Sequence, residues 1–322
     1  LPGGVRVSGQ KRHPETGLSA ADVPYSPAPD ATLTDAAEFR PRVRQRKWKG
    51  RLFEALAFTA TAVGMVTLVV LLFDLISDGV GRLSWAFVTS FPSRLAERAG
   101  VWPAVIGSIW IMGLTAAIAF PLGVGTAIWL EEYAPNTRLR RIIQLNISNL
   151  AAVPSIVYGI LGLAIFVRFF GFGRSVLAGA ATLALLILPV VIIASQEALK
   201  AVPNSLREAS YGVGATKWQT IRHQVLPVAL PGILTGTILS LSRAIGETAP
   251  LIMIGALTFI AFAPTSPMDP FTVLPIQIFN WTAKPQADFH DLAAGAILVL
   301  LVVLLVMNAA AIVLRNRYQK RF

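Results

Sequence analysis

The residues best suited to chemistry lie in one decapeptide, Leu241-Ser-Arg-Ala-Ile-Gly-Glu-Thr-Ala-Pro250, set in a long apolar stretch. Arg243 and Glu247 are four residues apart, which on a helix places both charges on one face, one turn apart. An arginine near the centre of a bilayer costs roughly 2.5–3.5 kcal/mol on insertion scales, so it needs a counter-ion or a polar cavity. Gly236 and Ser240 extend the same face on one side, and Pro250 extends it on the other. Small residues, a hydroxyl and an ion pair make a poor surface for lipid and a reasonable wall for a polar pathway. Two readings stay open at this point. Arg243 and Glu247 could staple two helices, or they could form an anion site within a membrane, with Ser240 and Gly236 lining the approach.

The rest of the chain has to carry such a site across a bilayer, and its composition fits that task. Of 322 residues, 54% are hydrophobic and only 14% charged, which indicates a polytopic, all-α membrane protein. Uncharged runs long enough for a spanning helix, about 20 residues, occur at 55–73, 99–130, 142–167, 175–196 and 292–314. Residues 224–268 carry only Arg243 and Glu247, and read as one helix over about 228–260 or as two shorter spans. Charge decides the count. Six spans with both termini cytosolic place 21 lysines and arginines inside against 6 outside, whereas seven would export the basic end 315–322. The net charge of +11 is therefore a topology signal that also suits anionic lipid, and it argues for no nucleic acid partner.

Residues 1–51 hold six prolines and end in a run of basic residues, reading as a disordered cytosolic tail ahead of a transmembrane domain over 52–315. A second basic tail follows at 316–322. The loop over 262–290, with Pro264, Pro267, Pro270, Pro275 and Trp281, is expected outside, at or dipping into the interface. In the third span, Asn146, Ser148, Asn149 and Ser155 are polar enough to face protein or water. Gly232 and Gly236 form a Gly-x-x-x-Gly, which permits close helix contact.

The loop at about 197–227 is more structured than a simple connection. Pro203 should end a helix. Ser205-Leu-Arg-Glu208 fits a capping box opening a short helix that Gly212 and Gly214 would stop. Thr216-Lys-Trp-Gln219 fits a second capping box, opening a helix toward Pro227. A folded loop bearing both charge signs and the aromatics Tyr211 and Trp218 implies a partner surface.

Glu208-Ala-Ser210, three residues, Gly214, nine residues and then Gln224-Val-Leu226-Pro227 resembles the EAA motif of the permease subunits of bacterial ABC importers. Ser210 replaces an alanine of that motif and Gln224 an isoleucine. The resemblance implies that Glu208, Ala209, Ser210, Gly214, Leu226 and Pro227 belong to a coupling element that seats in a groove of a cytosolic ATPase dimer. The decapeptide is similar to the signature of phosphate-specific permeases of the PstA type, and Ala151-Ala-Val-Pro-Ser-Ile-Val-Tyr-Gly159 resembles a second stretch of them. The similarity spans about 52–315. It implies six transmembrane helices in a bacterial inner membrane, a homologous permease subunit beside this one, and an extracytoplasmic phosphate-binding protein. The sister PstC type, or a permease for another oxyanion, is the alternative.

Several classes fall away on motif and composition. No cysteine is present, so there is no thiol nucleophile or thiolate metal site, and His13, His223 and His290 are too scattered for a metal cluster. No phosphate-cradling Gly-x-x-x-x-Gly-Lys-Ser/Thr occurs, so ATP and magnesium are expected on the partner ATPase and no cofactor on this chain. An intramembrane enzyme using Glu247 as a base lacks a nucleophile or second acid. A structural membrane partner without a pathway is a further alternative, which ATP-dependent uptake would separate.

Overall fold

In a computed structural model, residues 43–256 and 259–318 are described. Two units divide the chain, 1–66 and 67–322. Among the described residues of the first, the chain is a helix whose apolar side chains, such as Phe53, Phe58 and Val66, are exposed. This helix, α1 (Val43–Val80), already runs through the basic stretch that was expected to be tail. Arginine and lysine are good helix formers, and an established apolar helix extends into them at little cost. The expected tail up to residue 42 lies outside the described residues.

The second unit continues with α2 (Trp85–Thr89), α3 (Trp102–Ile128), α4 (Arg138–Leu150), α5 (Ser155–Gly162) and α6 (Val176–Lys200). After these come α7 (Asn204–Gly212), α8 (Lys217–Thr220), α9 (Leu226–Ala244), α10 (Ala249–Ile254), α11 (Leu274–Thr282) and α12 (Ala287–Tyr318). Wider π turns prolong α3 through Trp129–Tyr133, prolong α5 through Leu163–Phe169, and join α8 to α9 through Ile221–Val225. Pro227 has no N–H to give to the preceding turn, and the wider turn just ahead of it accommodates the lost bond. The described residues are helical apart from connections and one bridge between Ser175 and Pro270.

Among the described residues, five stretches are continuous and apolar enough to cross a membrane: Lys47–Val80, Trp102–Tyr133, Val176–Lys200, Lys217–Ala244 and Ala287–Arg317. The third expected span is not a straight helix. Its two halves, Arg138–Leu150 and Ser155–Phe169, meet at 104°. Pro154 forces the change, because proline cannot continue the hydrogen-bond ladder and drives the residue before it from helical backbone.

The segment over 228–260 also departs from the expected single helix. It stops after Ala244, turns through Ile245 and Gly246, and restarts as α10. The loop at 262–290 is not a surface connection either. Phe271 and Thr272 are fully buried, Trp281 is 1% exposed, and Leu274 N–H donates to Ser108 Oγ of α3 at 3.0 Å. Aromatic mass at 271 and 281 finds more apolar surface between helices than at an interface. Helix α6 is the centre of the unit, with Val176, Ala178, Leu183, Ile187 and Val191 buried along its length.

Candidate functional site

Two interruptions of helix meet. One is the bend at Ala151–Pro154 between α4 and α5; the other is the break after Ala244. Gly159 on α5 approaches the decapeptide's last residue so closely that a Cβ there would lie 2.7 Å from Pro250 Cα. Only glycine permits that approach. The two stretches that resemble phosphate permeases, far apart in sequence, are thus packed on one another. Irregular backbone at membrane depth is tolerated where protein buries it or where it lines a polar cavity.

Beside this junction Ser240 and Arg243 of α9 share a cleft with Ala151, Val153 and Tyr158 from the bend and with Ile187 of α6. The cleft is about 20 Å³, room for roughly one water. Tyr158 donates its hydroxyl to Leu150 O at 2.8 Å, and Ser240 donates to Gly236 O at 2.8 Å, so both are satisfied within the wall. Arg243 Nε lies 3.5 Å from Glu247 Oε1. The pair therefore forms, but across the end of the helix rather than along one helical face. Glu247 is 18% exposed and Arg243 64%, so the guanidinium projects outward from this chain. Arg243 lies in the last turn of α9 and Glu247 in the connection that follows it, so the pair closes the end of one helix and staples no two helices together. Its far side is open to whatever this face adjoins.

Gly236 does not line the cleft. A Cβ there would collide with that of Ala194 on α6, and one at Gly232 would lie 2.9 Å from Ala198 Cβ. This Gly-x-x-x-Gly is a helix contact. Asn146, Ser148 and Asn149 are exposed on α4, with Asn146 Nδ2 donating to Ile142 O in its own helix.

The second candidate element is the loop at α7 and α8. Gly214 has φ +83°, the left-handed conformation that only glycine adopts cheaply, and it ends the α7 turn. Thr216 Oγ1 accepts from Gln219 N–H while Gln219 Oε1 accepts from Thr216 N–H, so the second capping box is formed. The first is not. Helix α7 starts at Asn204, one residue ahead of Ser205, and its cap is Pro203 without a side-chain bond. Proline's fixed φ lets it lead the chain into the first turn, and Ser205 falls inside the helix. Glu208 and Ala209 are exposed, Ser210 Oγ and Thr220 Oγ1 are 2.9 Å apart, and Leu226 and Pro227 are half-buried at the start of α9.

A polar cluster beneath this loop is legible only with the fold in hand. Arg207 Nη2 meets Glu132 Oε1 at 2.9 Å, with the side chains 17% and 8% exposed. The same guanidinium donates to the carbonyls of Leu199 at 3.0 Å and Val202 at 2.8 Å. Glu131, next to Glu132, pairs with Arg140 at 3.3 Å and accepts from Gln196 Nε2 at 2.9 Å. Gln196 in turn pairs with Gln144. A carboxylate doublet closing an apolar span was the one trace of this cluster in the sequence.

A family profile described as "Binding-protein-dependent transport system inner membrane component" matches residues 119–322. Over 311 residues the chain is 35% identical to the phosphate transport system permease protein PstA 1 of Mycobacterium tuberculosis, covering 94% of this chain and 97% of that protein. The chain belongs to the PstA family of these inner membrane components. Within that family, this permease is also 34% identical to PstA of Haemophilus influenzae, over 80% of this chain and 91% of the relative. Its fold is that of ABC importer permeases. A crystal structure of a bacterial ABC transporter involved in alginate import covers 87% of this permease and all of its own chain, with a TM-score of 0.61 at 17% identity.

Proposed function

We propose that this permease forms part of the path by which inorganic phosphate crosses a bacterial inner membrane, as one half of a pair with a homologous permease. The family name supplies the substrate class, and the observation that carries the reading for this chain is the junction at Arg243. An arginine stands at the meeting of two broken helices, paired with Glu247 at 3.5 Å and with its guanidinium turned away from its own chain. A planar fork of donors can hold two phosphate oxygens at once, which a lysine cannot. The cleft on this chain is too small for an anion alone, so the site is completed by another surface, which suits a second permease. Glu247 keeps Arg243 partly neutralised between passages, and incoming phosphate competes with it for the guanidinium.

In the same reading α7 and Gly214 form the element that docks on a cytosolic ATPase pair, which binds ATP and magnesium. A phosphate-binding protein outside delivers the substrate, and both termini are cytosolic. The test is reconstitution of the complete transporter in liposomes, with ATP-dependent uptake of labelled phosphate measured against sulfate and arsenate as competitors. Uptake that depends on ATP and prefers phosphate is expected. Equal transport of sulfate would overturn the substrate, and no transport of any oxyanion would overturn the pathway.

A further inference from the structure

Resting on the reading of α7 as the docking element, we propose that Arg207 is the positioning residue that makes α7, the end of α6 and the end of α3 move as one body. The argument begins with what does not hold α7 in place. None of its residues is buried, so it has no apolar face locked into the bundle. Its attachments are polar. Among the described residues, its side-chain hydrogen bonds come from two: Ser210 reaches Thr220 at 2.9 Å, and Arg207 makes the others.

The Arg207 guanidinium is used on every nitrogen. Nε and Nη2 donate to Glu132 Oε1 at 3.3 and 2.9 Å, which ties α7 to the π turn ending α3. Nη2 also donates to Leu199 O, and Nη1 to Val202 O and, at 3.2 Å, to Asn204 Oδ1. Leu199 O belongs to the last turn of α6, where it also accepts from Val202 N–H at 3.3 Å, and Val202 lies just past the helix end, where carbonyls lack the next turn's donors. One planar side chain thus closes three elements, and a single ammonium could not reach all these acceptors. The neighbouring carboxylate extends the tie: Glu131 takes Arg140 of α4 and lies 3.8 Å from Lys200 of α6.

Helix α6 then leads to the candidate site, since Leu186, Ile187 and Val190 line the cleft shared by Ser240 and Arg243. A displacement of α7 is therefore delivered to α3 and α6 rather than absorbed in the three-residue connection at 201–203. Rigid-body transfer of this kind requires the link not to stretch during the cycle.

Two measurements on the complete transporter decide the matter. The first is phosphate moved per ATP hydrolysed in assembled complexes. Arg207→Ala should lower that ratio about tenfold, an ordinary size for a coupling between sites, and Arg207→Lys should restore only part of it. An unchanged ratio in Arg207→Ala complexes would overturn the proposal. The second serves also if Arg207→Ala fails to assemble. This chain has no cysteine, so Pro135→Cys and Ser205→Cys are its only labelling sites for spin labels. With Arg207 intact, the label separation should be the same in nucleotide-free and ATP-trapped transporter. A shift approaching one helical turn, about 5 Å, would contradict a rigid tie. If the wild-type complex hydrolyses ATP and moves no phosphate, the transport reading fails, while the label separation still judges the tie.

Discussion

Arg243 and Glu247 pair as their spacing implied, although the reason assigned to that spacing does not hold. The helix ends at Ala244, and Glu247 reaches back from the turn to within 3.5 Å. A four-residue interval brings two long side chains together in a tight turn as well as on a helix, so sequence alone could not separate the two. Exposure is what the interval could not convey. The Arg243 side chain is 64% exposed, so the described residues of this chain leave its guanidinium open, which is what the proposed anion site requires. Three substitutions are informative. Arg243→Lys should leave assembly intact and remove most phosphate uptake, because the two-oxygen fork is lost. Arg243→Gln should abolish uptake. Glu247→Gln should slow turnover by leaving the guanidinium without its competitor, seen as tighter phosphate retention and a lower maximal rate in vesicles.

At the scale of elements, apolar length located five continuous spans, while the two interruptions that make the junction escaped it. Pro154 was visible, yet nothing in hydropathy says that Ala151–Pro154 is a bend of 104°. Gly159 is meaningful only because Pro250 lies against it. Gly236 shows the converse, a residue assigned to a pathway by its face that instead packs on Ala194. In the loop, Gly214 stands in open space, so Gly214→Val is strained by backbone alone, by roughly 1–2 kcal/mol. Reduced phosphate uptake and weaker retention of the ATPase are expected for that variant, and co-purification together with uptake assays would check both. The connection at 265–269 gives a pH-dependent test. Backbone N–H groups of Thr265 and Ser266 donate to Asp269 Oδ2 at 2.8 and 2.9 Å and hold its carboxyl below the usual range. A depressed value stabilises the fold above the ordinary carboxylate pKa of about 3.9 and loses that effect as pH falls through the lowered one. Amide exchange at Thr265 and Ser266, taken relative to its intrinsic rate at each pH, should be protected near neutrality and lose that protection in acid below that range. Equal protection across the range would show that the carboxylate does not hold the turn.

The whole molecule was the most legible scale, since composition and the distribution of lysine and arginine point to a polytopic membrane protein without reference to any contact, and the motif resemblance adds the permease. What remained hidden was the polar cluster of Glu131, Glu132, Gln196 and Arg207, in which Arg207 meets Glu132 across a separation of 75 residues and only through packing. Reporter fusions at Arg315 and Gly171 should read cytosol and exterior respectively, and an exterior signal at Arg315 would contradict six crossings with both termini inside. The most direct test of the account concerns the double substitution Arg243→Gln with Glu247→Gln, which removes the charge pair and leaves no lone charge behind. In purified transporter reconstituted in liposomes, with ATP inside and phosphate-loaded binding protein outside, the double variant should assemble with its ATPase and carry no phosphate. Uptake near the wild-type rate in that assembled variant would contradict an anion site at Arg243.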